Sequence, residues 1–136
     1  KKSGVGVSRS SYVVKGNGDS VLVNKGTKLS VGDKIKEKIV ITADRDYDFV
    51  QIADKRAACM EPVKQISGYN GGIYYSPKDN STYYYIDILN KGKHIIETEY
   101  FIDRNGYYST GTCSVQCAYA PEFSGVAGGV KIKVGE

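Results

Sequence analysis

The chain has 136 residues, 19 basic and 15 acidic, a formal net charge of +4, and 40% hydrophobic and 25% charged content. That is the balance of one ordinary globular domain, which at this length buries about two-thirds of the surface its unfolded chain exposes. No apolar run approaches the roughly 20 residues of a membrane helix, and mild, scattered basic charge without a recognised motif argues against nucleic-acid binding.

Residues 1–9, KKSGVGVSR, are small and polar and read as a linker or frayed N-terminal segment. Residues 10–136 then form a single domain. Tyr12-Val13-Val14 and Val21-Leu22-Val23 flank Asn17-Gly18, which tolerates positive φ and so predicts a hairpin. After a turn at Gly32-Asp33, Ile35, Ile39, Ile41 and Ala43 share one face, with Lys34, Lys36, Lys38 and Thr42 on the other. That period of two marks a half-buried strand. Asp44-Arg45-Asp46 interrupts it, Phe49–Ile52 extends again, and Asp54-Lys55-Arg56 turns the chain into Ala57–Pro62. Val63–Ser67 carries no clear pattern, and Gly68–Gly72 reads as loop.

Ile73-Tyr74-Tyr75 predicts a short strand closed by Pro77, and the aromatic, β-branched run Thr82–Ile88 predicts another. His94–Asp103 places His94, Ile96, Thr98, Tyr100 and Ile102 on one face. Arg104-Asn105-Gly106 reads as a hairpin turn into a strand over Tyr107–Tyr119, with Cys113, Val115, Cys117 and Tyr119 inward. Val130–Val134 is the last strand, and no segment of helical length has a period near 3.6. About seven to nine strands, with turns every 8 to 12 residues, predict an all-β, antiparallel immunoglobulin/fibronectin-like β-sandwich.

The chemistry-bearing residues form no catalytic constellation. His94, the single histidine, reads as a core or strand-end residue, and one histidine with unpaired cysteine spacing does not make a zinc site. Asp44, Asp46 and Asp48 start like a calcium loop, but Phe49 and Lys55 stand where that loop needs Gly and Glu. A solvated turn paired with Arg45 is the simpler reading. Asn80-Ser81-Thr82 matches a glycosylation acceptor, relevant only in a eukaryotic secretory setting. No cofactor is expected. Twelve tyrosines suggest a sugar-binding platform, but the absence of tryptophan weakens that reading and alternating tyrosines in a sandwich more often fill core and rim; Tyr69, Tyr74, Tyr75 and Tyr83 are the candidate interaction surface.

Three cysteines leave at least one unpaired within the chain. Cys113 and Cys117, four residues apart on one strand, are separated by roughly 13 Å, beyond disulfide reach. Cys59 could bridge either, with Cys117 favoured because it lies nearer the strand end. The alternative is three buried, reduced thiols.

The segments Val31–Lys34, Ala43–Val50, Arg56–Pro62, Ser67–Tyr69, Lys91-Gly92, Gly106–Ser109 and Gln116–Phe123 follow one another in a familiar order. Arg56-Ala57-Ala58-Cys59-Met60-Glu61-Pro62 and Tyr119-Ala120-Pro121-Glu122-Phe123 are the most specific. Across residues 28–134 the chain resembles the C-terminal macroglobulin domain of bacterial alpha-2-macroglobulin family proteins, of the type found in Bacteroidetes. The resemblance implies a non-enzymatic domain of a large protease-trapping protein of the bacterial cell envelope, periplasmic or outer-surface. It also implies that the chain, which lacks an initiator Met, is cut from a longer polypeptide whose export signal lies elsewhere. The implied partners are other domains of the same polypeptide and, through the whole parent, a target protease, with no nucleic acid and no membrane insertion. Cys59-Met60-Glu61-Pro62 is similar to the Cys-x-Glu-Gln thioester motif of a separate domain, but Pro62 replaces the Gln, so no thioester forms here. Glu37 departs from the family at an inward position usually apolar, which implies an exposed strand end or a local partner.

Overall fold

The computed structural model describes residues 4–24 and 26–135. In chain order the strands are β1 (Val5–Val14), β2 (Ser20–Leu22), β3 (Lys34–Ala43), β4 (Tyr47–Lys55), β5 (Met60–Pro62), β6 (Gly68–Asn70) and β7 (Ile73–Pro77). They continue with β8 (Ser81–Leu89), β9 (Gly92–Ile102), β10 (Gly106–Ser109), β11 (Cys113–Cys117), β12 (Gly125–Ala127) and β13 (Lys131–Val134). A five-stranded sheet, β2-β1-β3-β9-β5, faces a six-stranded sheet, β12-β11-β4-β8-β7-β6, and β10 pairs with β13 separately. Every strand pair is antiparallel. The fold is the expected all-β sandwich, in which each sheet buries one face against the other.

Among the described residues thirteen strands replace the seven to nine expected, because strands of three or four residues are too short to show a period. Gly68–Asn70, expected as loop, is β6: Gly71 and Gly72, both at positive φ, make a tight turn that pairs Asn70 with Ile73. Val5–Arg9, expected as linker, lies in β1 and pairs with β3 from Val5↔Ala43 onward. Gly6 and Ser8 face outward there while Val5 and Val7 pack on the core. Residues 1–3 of that segment lie outside the described residues. Tyr107–Tyr119, expected as one strand, divides into β10 and β11, which belong to different sheets. Arg104-Asn105-Gly106 is therefore a corner rather than a hairpin turn. The Asn17-Gly18 hairpin forms as expected, with Tyr12↔Leu22 and Val14↔Ser20 in register.

The interior divides into two apolar clusters. One gathers Val5, Ile39, Ile41, Val50, Ile52, Tyr84, Ile86, Ile96 and Val115. The other gathers Val13, Leu29, Ile35, Met60, Tyr100, Ile102, Ile132 and Val134. On β3 the inward face passes from Ile39 in the first to Ile35 in the second, and Glu37 stands between them.

Candidate functional site

Two rows of polar side chains cross the sandwich where the clusters meet. In the five-stranded sheet, register aligns Ser11, Glu37 and Thr98. In the six-stranded sheet it aligns Cys113, Asp54 and Thr82. All six are buried. Two hydroxyl pairs help fill the layer: Thr82 and Tyr100 share a 2.8 Å hydrogen bond, and Tyr84 bonds Thr98.

Two arginines hold this layer to the loops around it. Arg9 lies inward on β1 and pairs with Asp54 Oδ1 at 2.6 Å, with both side chains almost wholly buried. It also donates to the Lys55 carbonyl at 2.7 Å, to Thr110 Oγ1 at 3.2 Å and to the Gly111 carbonyl. Arg56, just past β4, donates Nε to the Met60 carbonyl at 3.1 Å and Nη1 to Thr82 Oγ1 at 3.1 Å. Its Nη2 donates to the Lys78 and Asp79 carbonyls. Each guanidinium thus ties a strand to a distant turn, a task suited to its fixed fork of donors.

Glu37 is 0% exposed, so the strand end it occupies is not open to solvent. Its carboxyl faces Asp54, yet Glu37 Oε1, Glu37 Oε2 and Asp54 Oδ2 meet no donor. Desolvation first, and the neighbouring Asp54 second, hold the Glu37 carboxyl well above the usual glutamate range, against the pull of Arg9 and Arg56. A protonated Glu37 can donate to Asp54 Oδ2, which accounts for the absence of any other donor. Sequence placed Glu37 inward; its partners became visible only when the second sheet was laid over it.

The candidate tyrosines separate by face. Tyr69, Tyr74 and Tyr83 point outward from β6, β7 and β8, joined by Tyr85, which the candidate set omitted. Their rings form a continuous ladder: Tyr69–Tyr74 at 4.9 Å, Tyr74–Tyr85 at 6.2 Å and Tyr83–Tyr85 at 6.3 Å between centroids. Tyr75 points inward, 8% exposed, and donates its hydroxyl to the Lys64 carbonyl at 2.6 Å, so it leaves the surface set. The reason is the period of two: Tyr74 and Tyr75 are adjacent on one strand and cannot share a face.

No bridge joins Cys59 to Cys117. All three cysteines are free and buried, and Cys59 packs in the second cluster while Cys113 and Cys117 pack in the first. Burial pushes all three thiols up, Cys113 furthest, which disfavours the reactive thiolate. His94 sits half-buried near the start of β9 and its Nε2 lies 2.7 Å from the Asn90 carbonyl. Asp44 accepts from Arg45 at 2.8 Å and from the Tyr47 hydroxyl at 2.5 Å, and Asp46 accepts the Lys91 amide at 2.7 Å. The Asp-rich segment is thus a hydrogen-bonded, Arg45-paired turn.

The model of the bacterial alpha-2-macroglobulin MG10 domain matches residues 4–122. The chain belongs to that family. Its structure is similar to Salmonella alpha-2-macroglobulin reacted with methylamine (TM-score 0.79, 16% identity, 100% of this chain and 9% of that one). It is also similar to trypsin-activated alpha-2-macroglobulin from Escherichia coli (0.80, 12% identity, 100% and 11%). A third similar structure is native Escherichia coli alpha-2-macroglobulin from domain MG7 to the C-terminus (0.75, 12% identity, 96% and 23%). The chain spans about a tenth of the first two, and at these identities they establish the shared fold. No curated protein matches the sequence. The chain is a macroglobulin domain, and in the bacterial alpha-2-macroglobulin structures the same fold is one part of a multidomain chain. Among the described residues, no helix is long and apolar enough to cross a membrane.

Proposed function

We propose that this macroglobulin domain is a non-enzymatic structural and interaction module in the C-terminal part of a large protease-trapping protein of the bacterial cell envelope. The family match over residues 4–122 carries the reading. The interior supports it, because Arg9, Arg56 and Asp54 bond to scaffold groups rather than lining a cleft with a nucleophile and base. The Tyr69–Tyr74–Tyr85–Tyr83 face is the surface offered to neighbouring domains of the same polypeptide, and target proteases are met through the whole parent. Residues 10–136 together with the β1 residues before them act as one domain. In the trapping reading, a protease mixed with the parent polypeptide keeps cleaving small chromogenic peptides and loses activity on large proteins. Undiminished cleavage of a large substrate, at excess parent protein, would refute it.

The row of tyrosines itself favours a second reading, a carbohydrate-binding or adhesin-type sandwich, since aromatic rings that reach solvent, as Tyr69 and Tyr85 do, suit sugar faces. A glycan array separates the two. Saturable sugar binding that is lost in Tyr69→Ala and Tyr74→Ala favours the second, and binding to no glycan favours the first.

A further inference from the structure

The ladder between β4 and β8 breaks at one place. Tyr47↔Leu89 and Asp48↔Ile88 are paired, and the ladder resumes at Val50↔Ile86, skipping Phe49 and Asp87. Along β4 the buried residues Tyr47 and Val50 are three apart, and along β8 so are Ile86 and Leu89. Each strand thus turns two successive residues outward, which a period of two forbids. The step is made at Phe49, whose φ of 55° is the one positive value outside glycine among the described residues. That conformation is unfavourable for a bulky side chain. Burial does not offset it, since Phe49 is 52% exposed and meets Tyr119 edge-on at 5.5 Å. Backbone strain held without a gain in the core is characteristic of binding surfaces.

Beside the step, on the outer face of the sheet, lies a hollow of about 240 Å³ walled by Phe49, Gln51, Tyr85, Asp87 and Gln116. Register sets Gln116, Gln51 and Tyr85 in one row across β11, β4 and β8. Among the described residues, Asp87 is the one charged group that lines the hollow, and it forms no ion pair. The side chains of Gln51, Gln116 and Asp87 likewise take no hydrogen-bond partner from the described residues around them. Two aromatic rings, two amide oxygens and a carboxylate therefore converge with no cation among them. The space is below the usual range of small-molecule pockets and suits one long side chain.

Aromatic rings and a carboxylate together attract a cation. A planar guanidinium can lie on a ring, pair with a carboxylate and donate to amide oxygens at once, whereas an ammonium is a strongly hydrated point charge. We propose that this hollow receives an arginine side chain presented by another polypeptide segment. Asp87 is its counter-charge, Phe49 and Tyr85 are its walls, and Gln51 and Gln116 are its acceptors. The assignment rests on the reading of this domain as an interaction module and not on protease trapping.

Titrating the isotope-labelled chain with the blocked peptide acetyl-Gly-Arg-Gly-amide, followed by NMR, reads the site directly. Saturable shifts are expected at the Gln51 and Gln116 side-chain amides and the Asp87 backbone amide, with a Kd of about 1 mM. The same peptide with lysine for arginine should bind at least about threefold more weakly, and with glutamate not at all. Asp87→Asn removes the counter-charge and should weaken binding by about tenfold. Phe49→Gly removes one wall and places at positive φ the residue suited to it, so binding should fall by about fivefold with no loss of Tm. Thermal unfolding of both variants checks the sandwich, and because the substitutions lie on different strands, one intact variant suffices. No saturable shift up to about 20 mM peptide overturns the proposal. So does equal binding of the lysine or glutamate peptide, or an affinity unchanged in an intact variant. Failure of this titration leaves the trapping assay on the parent untouched, and the converse holds as well.

Discussion

Replacing Glu37 by Gln tests the buried layer with the least disturbance of shape. The amide is isosteric with a protonated carboxyl, cannot ionise, and can donate to Asp54 Oδ2, which lacks a donor in the native chain. A carboxyl held protonated in the folded state and free in the unfolded state binds more protons when folded. The stability it contributes is therefore complete below the ordinary glutamate value of 4.5 and is lost as pH rises through the higher folded value. Over that window the loss runs at about 1.4 kcal/mol per pH unit. Glu37→Gln should abolish this slope. Its advantage over the wild type should be small at about pH 4 and grow to about 1–3 kcal/mol at neutral pH, the scale of one buried polar group correctly paired. Urea unfolding of both proteins between about pH 4 and pH 8 gives the two curves. A variant less stable than the wild type by about 3–5 kcal/mol at neutral pH would refute the reasoning. That result would mean Glu37 is ionised and that the substitution strips a counter-charge from Arg9 and Arg56.

Three further outcomes follow from the same interior. Arg56→Met leaves the Met60, Lys78 and Asp79 carbonyls without their charged donor and should cost about 3 kcal/mol in urea unfolding; a change within about 0.5 kcal/mol, the scale of a surface substitution, sinks the anchoring role. Tyr75→Ala should destabilise by about 3–5 kcal/mol and Tyr69→Ala by no more than about 0.5 kcal/mol, since only Tyr75 is buried; equal losses would mean the assignment of faces is wrong. Alkylation should label the three thiols only after unfolding, because all are free and buried, and a linked peptide containing Cys59 in a non-reducing map would contradict this.

The sequence by itself determined the strands with room to repeat. The alternation in β3 and β9 runs over ten and eleven residues, so period, face and inward residues could be read directly, Glu37 and Thr98 among them, and β8 was legible from its aromatic and β-branched composition. The Arg56–Pro62 and Tyr119–Phe123 segments likewise carried the family resemblance, which the match to the MG10 model supports. The tertiary structure alone decided what each inward residue meets. Three-residue strands such as β6 and β12 exist because a neighbour pairs with them, and no period can show in so short a run. Val5–Arg9 is a strand for the same reason: β3 supplies its partners, though its own composition reads as linker. Cys59 and Cys117 are kept apart by the two-cluster division of the core, which no spacing in the chain encodes. Glu37 and Asp54 lie on different sheets and come together only through sheet-on-sheet packing. Local side-chain chemistry sets a residue's face in its own strand, whereas the residue across the interior is chosen by how two separately formed sheets are stacked.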